Sequence, residues 1–392
     1  MTTRVARSLA GVDAASWNAL ADGGSPFLRH EFLLALEASG CATPETGWDA
    51  HHLLHFDATG ALDGAMPLYL KPHSWGEFVF DFAWAEAYQR AGMRYYPRLV
   101  CAVPFTPASG PRLLARSEPV RAELLAAARG LVRELGASSL HVLFPGAGDR
   151  ESLAAAGLMP RLDCQFHWRH EGHRDFDDWL ASFTSEKRKK IRRERRRVAE
   201  SGLQCRRLAG PELDAAAIET LYRLHALTFA RYGNAPYLNA DFFARIARTM
   251  PESLVVEFAE LGGEPAACAV SLRGSEALFG RYWGAAADFH SLHFELCYYR
   301  GIEYCLREGL ARFEPGTQGE HKLLRGFVPT PVWSLHDIGD ARFAAPIGAW
   351  LARERRRRRR WLAQAVRHLP FRREDIPARL PADVRDCLAA ED

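Results

Sequence analysis

Residues 318–322 hold an amide, a carboxylate, an imidazole and an amine within five consecutive positions. Side chains of these types can perform general acid–base chemistry, in which one group takes a proton and a positive charge stabilises a developing oxyanion. Glu320 or His321 could be that base, Lys322 could stabilise the oxyanion, and Gln318 is expected to contact substrate. Alternatively, Thr317 and Glu320 form the capping box of a helix N-terminus. The two interpretations can hold together.

A second carboxylate, Glu295, lies in a helical apolar pattern and is a further candidate base. It shares a helix face with three residues: Tyr299, Ile302 and Leu306. Burial would raise the pKa of Glu295 toward the range that suits a general base; the alternative is a structural ion pair with an arginine, such as Arg281. His290 and His293 complete an H-x-x-H-x-E spacing, but side chains at a helix start project in different directions, and we expect no metal site.

Positive charge is concentrated in two strips of the chain. The net formal charge is +3, yet residues 184–197 carry +7 and residues 353–373 carry +9, which leaves −13 on the remainder. Such strips favour a phosphate-bearing partner, such as a nucleic acid or a nucleotide-linked precursor, or, for the second strip, an anionic membrane surface. The alternative for the first strip is a solvated helix. Its candidate phosphate contacts are Lys187, Arg188, Arg192, Arg193 and Arg196.

A dense set of aromatic and polar residues occupies residues 81–106. Pockets favour aromatic walls and domain junctions, so this set could line an acceptor pocket between domains. The alternative is that these residues form a hydrophobic core. The residues expected to contact the acceptor are Asp81, Trp84, Tyr88 and Thr106.

The elements that position these side chains follow one order twice, in residues 25–168 and again in residues 179–336. Each half predicts helices, a three-stranded meander, a helix, a strand, a short helix and a final strand. We therefore expect an α/β fold of two tandem lobes, each with a mixed central sheet flanked by helices. The expected domains are 1–172 and 173–350, followed by a basic helix and tail at 351–392.

Composition excludes several classes of protein. No apolar run approaches the ~18 residues of a membrane span, and no export signal is apparent at the N-terminus. The eight cysteines include no C-x-x-C pair, which argues against a zinc ribbon. We expect a soluble protein of a reducing cytoplasm with free thiols.

Four sequence strings resemble the FemAB-like branch of the GNAT fold (Gcn5-related N-acetyltransferases), whose FemX-like members are tandem enzymes. These are WGEFVFD at 75–81, VPFTP at 103–107, LHFELCYY at 292–299 and FEPGTQGEHK at 313–322, the last followed by Arg-Gly-Phe at 325–327. The resemblance spans roughly 25–354 and implies a bacterial N-acyltransferase. Its acceptor would be a small-molecule amine or a peptidoglycan precursor. His321-Lys322 also resembles the aromatic–lysine pair of FemX-like proteins.

The resemblance leaves two donors open. Arg281, Gly284, Ala285 and Ala286 fit the R-x-x-G-x-A pattern by which GNAT enzymes bind the pyrophosphate of acyl-CoA, so acyl-CoA is our preferred donor. FemX-like enzymes instead take an aminoacyl group from tRNA, which would engage the first basic strip. A non-catalytic module that recognises peptidoglycan precursors or RNA is the alternative to an enzyme.

Overall fold

The computed structural model describes residues 2–21, 23–317 and 319–390, which form two compact units. Residues 2–163 and 332–358 form the first unit, and residues 164–331 and 359–390 form the second. These units differ from the expected domains 1–172, 173–350 and 351–392, because the segment 332–358 returns to the first unit. The helix Ala341–Val366, here called the terminal helix, therefore begins in the first unit and ends in the second.

The first unit contains a mixed sheet and a smaller antiparallel sheet. The strands of the mixed sheet, in spatial order, are Val328–Ile338 (through residues 334–338), Ser139–Leu143, Arg98–Cys101, Leu68–Lys71 and Asp49–Ala50. The smaller sheet orders Thr2–Ala6, His52–Phe56, Leu62–Met66 and Leu114–Ala115. The helices are Leu9–Gly11, Ala14–Asn18, Pro26–Leu28, His30–Ala38, Phe82–Arg90, Glu118–Glu134, Ala147–Ala155 and the start of the terminal helix.

The second unit is built on a second mixed sheet. Its strands, in spatial order, are Leu203–Ala209, Leu254–Leu261, Glu264–Arg273, Ala277–Ala285, Arg312–Glu314 and Met159–Arg169 (through residues 168–169). Its helices are Phe176–Ala181, Ser185–Glu200, Gly210–Glu212, Ala215–Arg231, Ala240–Thr249, a continuous helix over 292–308, Glu320–Arg325, Ile376–Arg379 and Ala382–Ala389. We name Ser185–Glu200 the basic helix, 292–308 the central helix and Glu320–Arg325 the site turn.

Both mixed sheets contain the same central arrangement, a parallel strand pair joined by a helix. In the first unit Arg98–Cys101 runs parallel to Ser139–Leu143, and in the second Ala277–Ala285 runs parallel to Arg312–Glu314. The remaining pairs between neighbouring strands are antiparallel where their registers are described. Two GNAT-like lobes, each with a mixed sheet flanked by helices, are thus confirmed.

The last strand of each sheet comes from the other half of the chain. We expected 162–168 to close the first sheet and 332–336 to close the second. Instead residues 334–338 pair with Ser139–Leu143, and Trp168 pairs with Phe313. The strand pattern predicts that both segments are buried strands, but residue alternation carries no information on which edge a strand joins.

The central helix begins with one α-helical turn, continues as a π-helix over Glu295–Tyr299 and returns to α-helix at Arg300–Glu308. Its inner face packs in two hydrophobic clusters of the second unit, with Tyr299 and Ile302 in one and Leu292 and Leu296 in the other. π-helical turns occur frequently at functional sites, because the extra residue re-aims neighbouring side chains. Among the described helices, none is long and apolar enough to cross a membrane.

Candidate active site

The parallel strand pair of the second unit separates at one end, and the site turn lies beside that opening. Arg312–Glu314 pairs only with residues 277–279 of its neighbour, which continues to Ala285. Gly280 lies where the strands part, and a Cβ atom there would meet the Cα of Pro315 at 3.2 Å. Past Pro315 and Gly316 the chain enters the site turn.

Lys322 of the site turn is buried without a counter-ion among the described residues. Its side chain is in a residue only 1% exposed, and its Nζ donates a hydrogen bond to the Gly316 carbonyl at 2.7 Å. The Tyr298 ring centroid lies 5.9 Å from Nζ, and no described carboxylate lies within 4 Å of this amine. Desolvation lowers the pKa of Lys322 to about 7. Near neutral pH, Lys322 is therefore present in both its charged and its neutral form.

His321 is hydrogen-bonded to a residue that sequence reasoning missed. The Tyr298 hydroxyl and His321 Nε2 are 2.8 Å apart. Burial raises the pKa of Tyr298, so its hydroxyl keeps its proton. In the neutral His321 tautomer that carries its proton on Nε2, the Tyr298 oxygen accepts this hydrogen bond and Nδ1 keeps a free lone pair. Desolvation and the charges of Lys322 and Arg325 lower the pKa of His321. A neutral His321 can thus accept a proton at neutral pH.

Gly319 leaves room for the His321 ring. Its φ is +105°, and a Cβ at this position would lie 2.2 Å from Cε1 of His321. A side chain here would force the imidazole to move. This close approach explains a glycine directly before the reactive residues.

Glu320 and Gln318 do not join this arrangement in the described structure. Glu320 is exposed, and no hydrogen bond or ion pair joins it to the described residues. The predicted capping box is absent, since the site turn has Gly319 as its N-cap and no side-chain cap. Gln318 lies outside the described residues.

Arg325 connects the site turn to the basic and central helices through a buried network. Its Nη2 donates to Glu194 Oε1 at 2.8 Å, its Nε to the Tyr299 hydroxyl at 3.0 Å, and its Nη1 to the His321 carbonyl at 3.0 Å. The Tyr299 hydroxyl also donates to Glu194. Tyr298 and Tyr299 are consecutive residues of the π-helix, and they contact His321 and Arg325, respectively. This network fixes the position of His321.

Glu295 faces a different region and has the structural role that we considered as its alternative. Both carboxylate oxygens accept from Arg195, at 3.0 and 3.1 Å, and Arg195 also binds Glu303 at 2.7 Å. Burial raises the pKa of Glu295, as expected, although the neighbouring arginine opposes the shift. The partner is Arg195 rather than Arg281. Glu295 lines a cavity of about 890 Å³ that His321 and Lys322 do not line.

The residues with metal-like spacing diverge in space. His290 contacts Arg197 at 3.1 Å, and His293 packs with its ring 5.2 Å from that of Trp283. Burial lowers the pKa of His293 to about 4. Within the described ranges, no group of three or more His, Cys, Asp or Glu side chains is arranged to hold a metal ion.

The predicted pyrophosphate loop is part of a β-strand. Gly284 and Ala285 belong to Ala277–Ala285, and the Ala286 amide donates to the Ala266 carbonyl at 2.8 Å. Gly284 packs against Ala215–Arg231, where a Cβ would lie 2.1 Å from the Leu224 carbonyl oxygen. The glycine is required by helix–strand packing. The expectation that Arg281 to Ala286 form an anion loop is therefore corrected: this backbone is engaged within the sheet.

The basic helix instead supplies cations to a cavity of about 460 Å³ that His321 also lines. Lys190 and Arg193 are exposed there and make no ion pair with described residues. Arg197 lines the same cavity, and its Nη1 contacts the His290 ring at 3.1 Å. Unpaired cations beside a cavity favour an anionic ligand.

Four of the five predicted phosphate contacts have protein partners. Lys187 pairs with Glu186, Arg192 with Asp177 and Arg196 with Glu200, at 3.3, 3.3 and 3.7 Å, and Arg188 donates to the Ala181 carbonyl at 3.0 Å. These exposed pairs are weak and can exchange for other anions. Arg193 is the one predicted contact that lines the cavity beside His321.

The predicted acceptor residues of the first unit lie in its core. Asp81 accepts hydrogen bonds from Ser74 and Tyr95, at 2.5 and 2.6 Å. Trp84 and Tyr88 pack against Trp350 and Phe343 of the terminal helix, with ring centroids 6.1 and 3.8 Å apart. The Thr106 hydroxyl is buried and donates to the Pro104 carbonyl. An acceptor pocket built from these four residues is therefore corrected to a packed core.

Comparison with known proteins agrees with this architecture. The model of the FemAB-like family, described as peptidoglycan biosynthesis/recognition, matches residues 8–373. The crystal structure of FemX is similar at a TM-score of 0.54 and 12% identity, covering 89% of this chain and 100% of that chain. L-PGS from Bacillus licheniformis is similar at 0.52 and 12% identity, covering 87% and 96%.

A further similar structure is the C-terminal domain of a lysylphosphatidylglycerol synthetase from Agrobacterium fabrum, at a TM-score of 0.51 and 12% identity, covering 87% of this chain and 95% of that chain. No curated protein matches the sequence. The similar structures support the tandem fold, and the family model covers most of the chain. The chain therefore belongs to the FemAB-like family.

Proposed function

We propose that the chain is an N-acyltransferase that moves an aminoacyl group from tRNA to an amine of a peptidoglycan precursor. The observation that carries this proposal is Lys322, a buried amine without a described counter-ion, beside the Tyr298–His321 hydrogen bond at the opening of the parallel strand pair. An uncompensated buried cation is costly unless a ligand supplies the opposing charge. The negative charge of a tetrahedral intermediate would do so.

The chemistry uses the two adjacent residues of the site turn. The acceptor amine attacks the ester carbonyl of the donor, forming the C–N bond, while neutral His321 takes the amine proton. The protonated Lys322 stabilises the oxyanion. The C–O bond to the carrier then breaks, and the protonated His321 returns its proton to the leaving ribose oxygen. The Tyr298 hydroxyl and the Arg325 network hold the imidazole in place.

The basic cavity supports tRNA as the donor. Lys190, Arg193 and Arg197 supply cations beside His321, suited to the phosphates near a tRNA terminus. The amide of Ala286, which the acyl-CoA interpretation required, is hydrogen-bonded within the sheet. Acyl-CoA is the second candidate donor, favoured by the part of Ala277–Ala285 that extends beyond its pairing with Arg312–Glu314.

A direct assay distinguishes the two donors. The purified chain is incubated with a nucleotide-linked peptidoglycan precursor and either charged tRNA or acyl-CoA, and the product mass is measured. We expect the precursor to gain one amino acid with charged tRNA only. If transfer occurred with acyl-CoA alone, acyl-CoA would replace tRNA as the donor in this proposal. If neither donor gave turnover although the precursor bound tightly, the chain would be a recognition module.

Charge reversal tests whether the cavity holds the carrier. Lys190→Glu with Arg193→Glu should weaken tRNA binding at least tenfold and flatten its salt dependence, because phosphate contacts release counterions. The matched control reverses Arg192 and Arg196, which lie on the same helix but line the cavity of Glu295. An equal loss in both variants would mean that the helix attracts tRNA by general charge rather than through the site.

The identity of the base is tested within the site turn. His321→Asn should reduce turnover by about 10²-fold, the usual contribution of a general base. Glu320→Gln is the matched control, since Glu320 is adjacent and exposed and should leave turnover unchanged. The reverse result would assign the base to Glu320. A cytoplasmic location forms part of the proposal, since charged tRNA is found there and the cysteines of the described structure form no disulfide.

A further inference from the structure

Three aromatic side chains of the first unit are exposed and contact one another. Trp75, Phe80 and Phe82 are 67%, 58% and 45% exposed. The Phe80 and Phe82 rings stack with centroids 5.9 Å apart, and the Trp75 ring lies 5.7 Å from that of Phe82. Clusters of exposed aromatic rings are unusual on the surface of a soluble protein and indicate an interaction site.

The polar side chains of the same segment point inward and fix its conformation. Ser74, Glu77 and Asp81 are buried, and Arg98 pairs with both carboxylates at 2.6 and 3.2 Å. The segment is therefore held from beneath by ion pairs while its aromatic rings face outward. The outward position of the rings is built into the structure rather than produced by a loose loop.

The aromatic cluster lies beside the arginine-rich part of the terminal helix. Trp84 packs on Trp350 and Tyr88 on Phe343, so Phe82–Arg90 runs antiparallel to the terminal helix. The start of Phe82–Arg90, which adjoins the cluster, therefore faces residues beyond 350.

Arg161 confirms this alignment through two contacts. Its Nη1 donates to the Phe80 carbonyl at 2.8 Å, and its Nε donates to Glu354 at 2.8 Å. Phe80 and Glu354 thus share one arginine partner. The aromatic cluster is consequently adjacent to the turn of the terminal helix that contains Glu354.

Exposed arginines flank Glu354 on that helix. At about 100° per residue, Arg353 and Arg357 lie about 40° apart on one side of Glu354, and Arg356 lies about 60° from Arg353. All three arginines are exposed and make no ion pair with described residues. Arg353 and Arg357 therefore extend the aromatic cluster into a mixed aromatic and cationic surface.

We propose that Trp75, Phe80, Phe82, Arg353 and Arg357 form a docking surface for an anionic lipid bilayer. Aromatic rings insert at the level of the headgroups, while neighbouring arginines bind anionic lipid phosphates. The two Phe rings have no polar edge and stack on each other, which suits a single apolar wedge better than separate platforms for nucleic-acid bases. This surface belongs to the first unit and does not depend on the transferase chemistry proposed for the second.

The full chain is tested by co-sedimentation with vesicles of phosphatidylcholine, with and without phosphatidylglycerol. We expect binding to the anionic vesicles and much weaker binding to phosphatidylcholine alone. Arg353→Glu with Arg357→Glu should weaken binding at least 25-fold, because each arginine near an anionic surface contributes roughly a factor of five. Phe80→Ser with Phe82→Ser should weaken it at least about tenfold through lost apolar burial.

Matched controls use exposed residues outside the surface. Arg116→Glu with Arg133→Glu reverses two exposed arginines of the first unit that are not part of the surface, and Tyr232→Ser removes a side chain that is 78% exposed in the second unit. Both controls should bind vesicles within about twofold of the parent chain. Each variant is also checked by thermal unfolding, and its tRNA binding is measured in parallel.

Three results would overturn the proposal. They are absence of parent binding to anionic vesicles, equal losses in the surface variants and the controls, and loss of tRNA binding in the surface variants without loss of vesicle binding. The last outcome would assign the surface to RNA. Because the transfer assay uses a soluble precursor, surface variants should retain turnover, so failure here is distinguishable from failure of the proposed function.

Discussion

Lys71 in the first unit and Lys322 in the second are buried to the same degree but have opposite surroundings. Both residues are at most 1% exposed, and desolvation lowers the pKa of each to about 7. Lys71 has Glu77 at 4.0 Å, the Trp75 carbonyl at 3.1 Å and the Trp48 ring at 3.6 Å. Lys322 has one carbonyl partner and no described carboxylate within reach.

The comparison shows that a shifted pKa does not by itself identify a functional lysine. Glu77, whose pKa is raised by burial to about 7, is shared between Lys71 and Arg98, so both cations have a carboxylate partner. Lys322 adjoins His321, which lines a cavity. The counter-charge that a buried amine requires is provided by the protein in one unit, and we propose that the reaction provides it in the other.

The largest expected effect is on turnover. Lys322→Met keeps the side-chain volume and removes the charge, and it should lower kcat by about 10²-fold or more, as expected for a lost oxyanion contact. Thermal unfolding should change little, because the substitution also removes the cost of burying an amine. Steady-state kinetics and calorimetry measure the two effects. Parent-level turnover would remove Lys322 from the mechanism.

The matched substitution in the first unit should affect stability instead. Lys71→Met leaves Glu77 with one cation and the Trp75 carbonyl without its donor, so we expect the free energy of unfolding to fall by about 2 kcal/mol. Urea denaturation measures this, and kcat should remain within about twofold. If Lys71→Met abolished turnover while the chain stayed folded, the contrast between the two lysines would fail.

The pH dependence of kcat/KM sharpens the comparison. Lys322 must be charged, so activity should fall about tenfold per pH unit above its pKa of about 7. His321 must be neutral, and its lowered pKa places the acidic loss of activity below the ordinary range of a histidine. In Lys322→Arg the alkaline fall should disappear, because guanidinium stays charged. An unchanged alkaline limb in this variant would assign that limb to another group.

The smallest expected effect concerns the packing of His321. Gly319→Ala places a methyl group against the imidazole and should lower kcat about fivefold through misplacement of the base. Gly233→Ala is the control: its φ is +70° and no atom lies within 4 Å of the added Cβ. Both substitutions should cost about 1 kcal/mol in stability from backbone strain. Equal kcat in both variants would separate Gly319 from the site.

The fold was largely predictable because periodicity reports burial. The helix Glu118–Glu134, the meander from Leu254 to Ala285 and the individual strands of the parallel pairs all follow their apolar patterns. The strand exchange was not predictable, because a buried strand has the same alternation on either edge that it joins. The N-terminal strand Thr2–Ala6 was missed, since only its pairing with His52–Phe56 stabilises it. The helix Phe82–Arg90 was hidden by its irregular aromatic composition.

The candidate site was predictable in part. His321 and Lys322 were identified by residue type, but Tyr298 was assigned to the apolar helix, although a buried hydroxyl requires a partner and was a usable signal. The R-x-x-G-x-A pattern led to a wrong prediction, because Gly284 is required for close packing against the Leu224 carbonyl. Residue spacing alone does not distinguish a glycine needed for packing from one needed for ligand binding. Arg195 as the partner of Glu295 depends on long-range geometry that no local pattern contains.

The strand exchange gives synthesis a fixed order of events. Residues 139–143 leave the ribosome long before their partner residues 334–338, whereas Trp168 is made before Phe313. At ~5–20 residues per second, the intervening segment takes roughly ten to forty seconds to translate. The second unit can therefore close its sheet first, and the first unit must wait with an open edge until the ribosome has passed it. The second unit of the nascent chain thus folds before the first unit is complete. During this interval, we expect chaperones to bind the exposed sheet edge of the first unit.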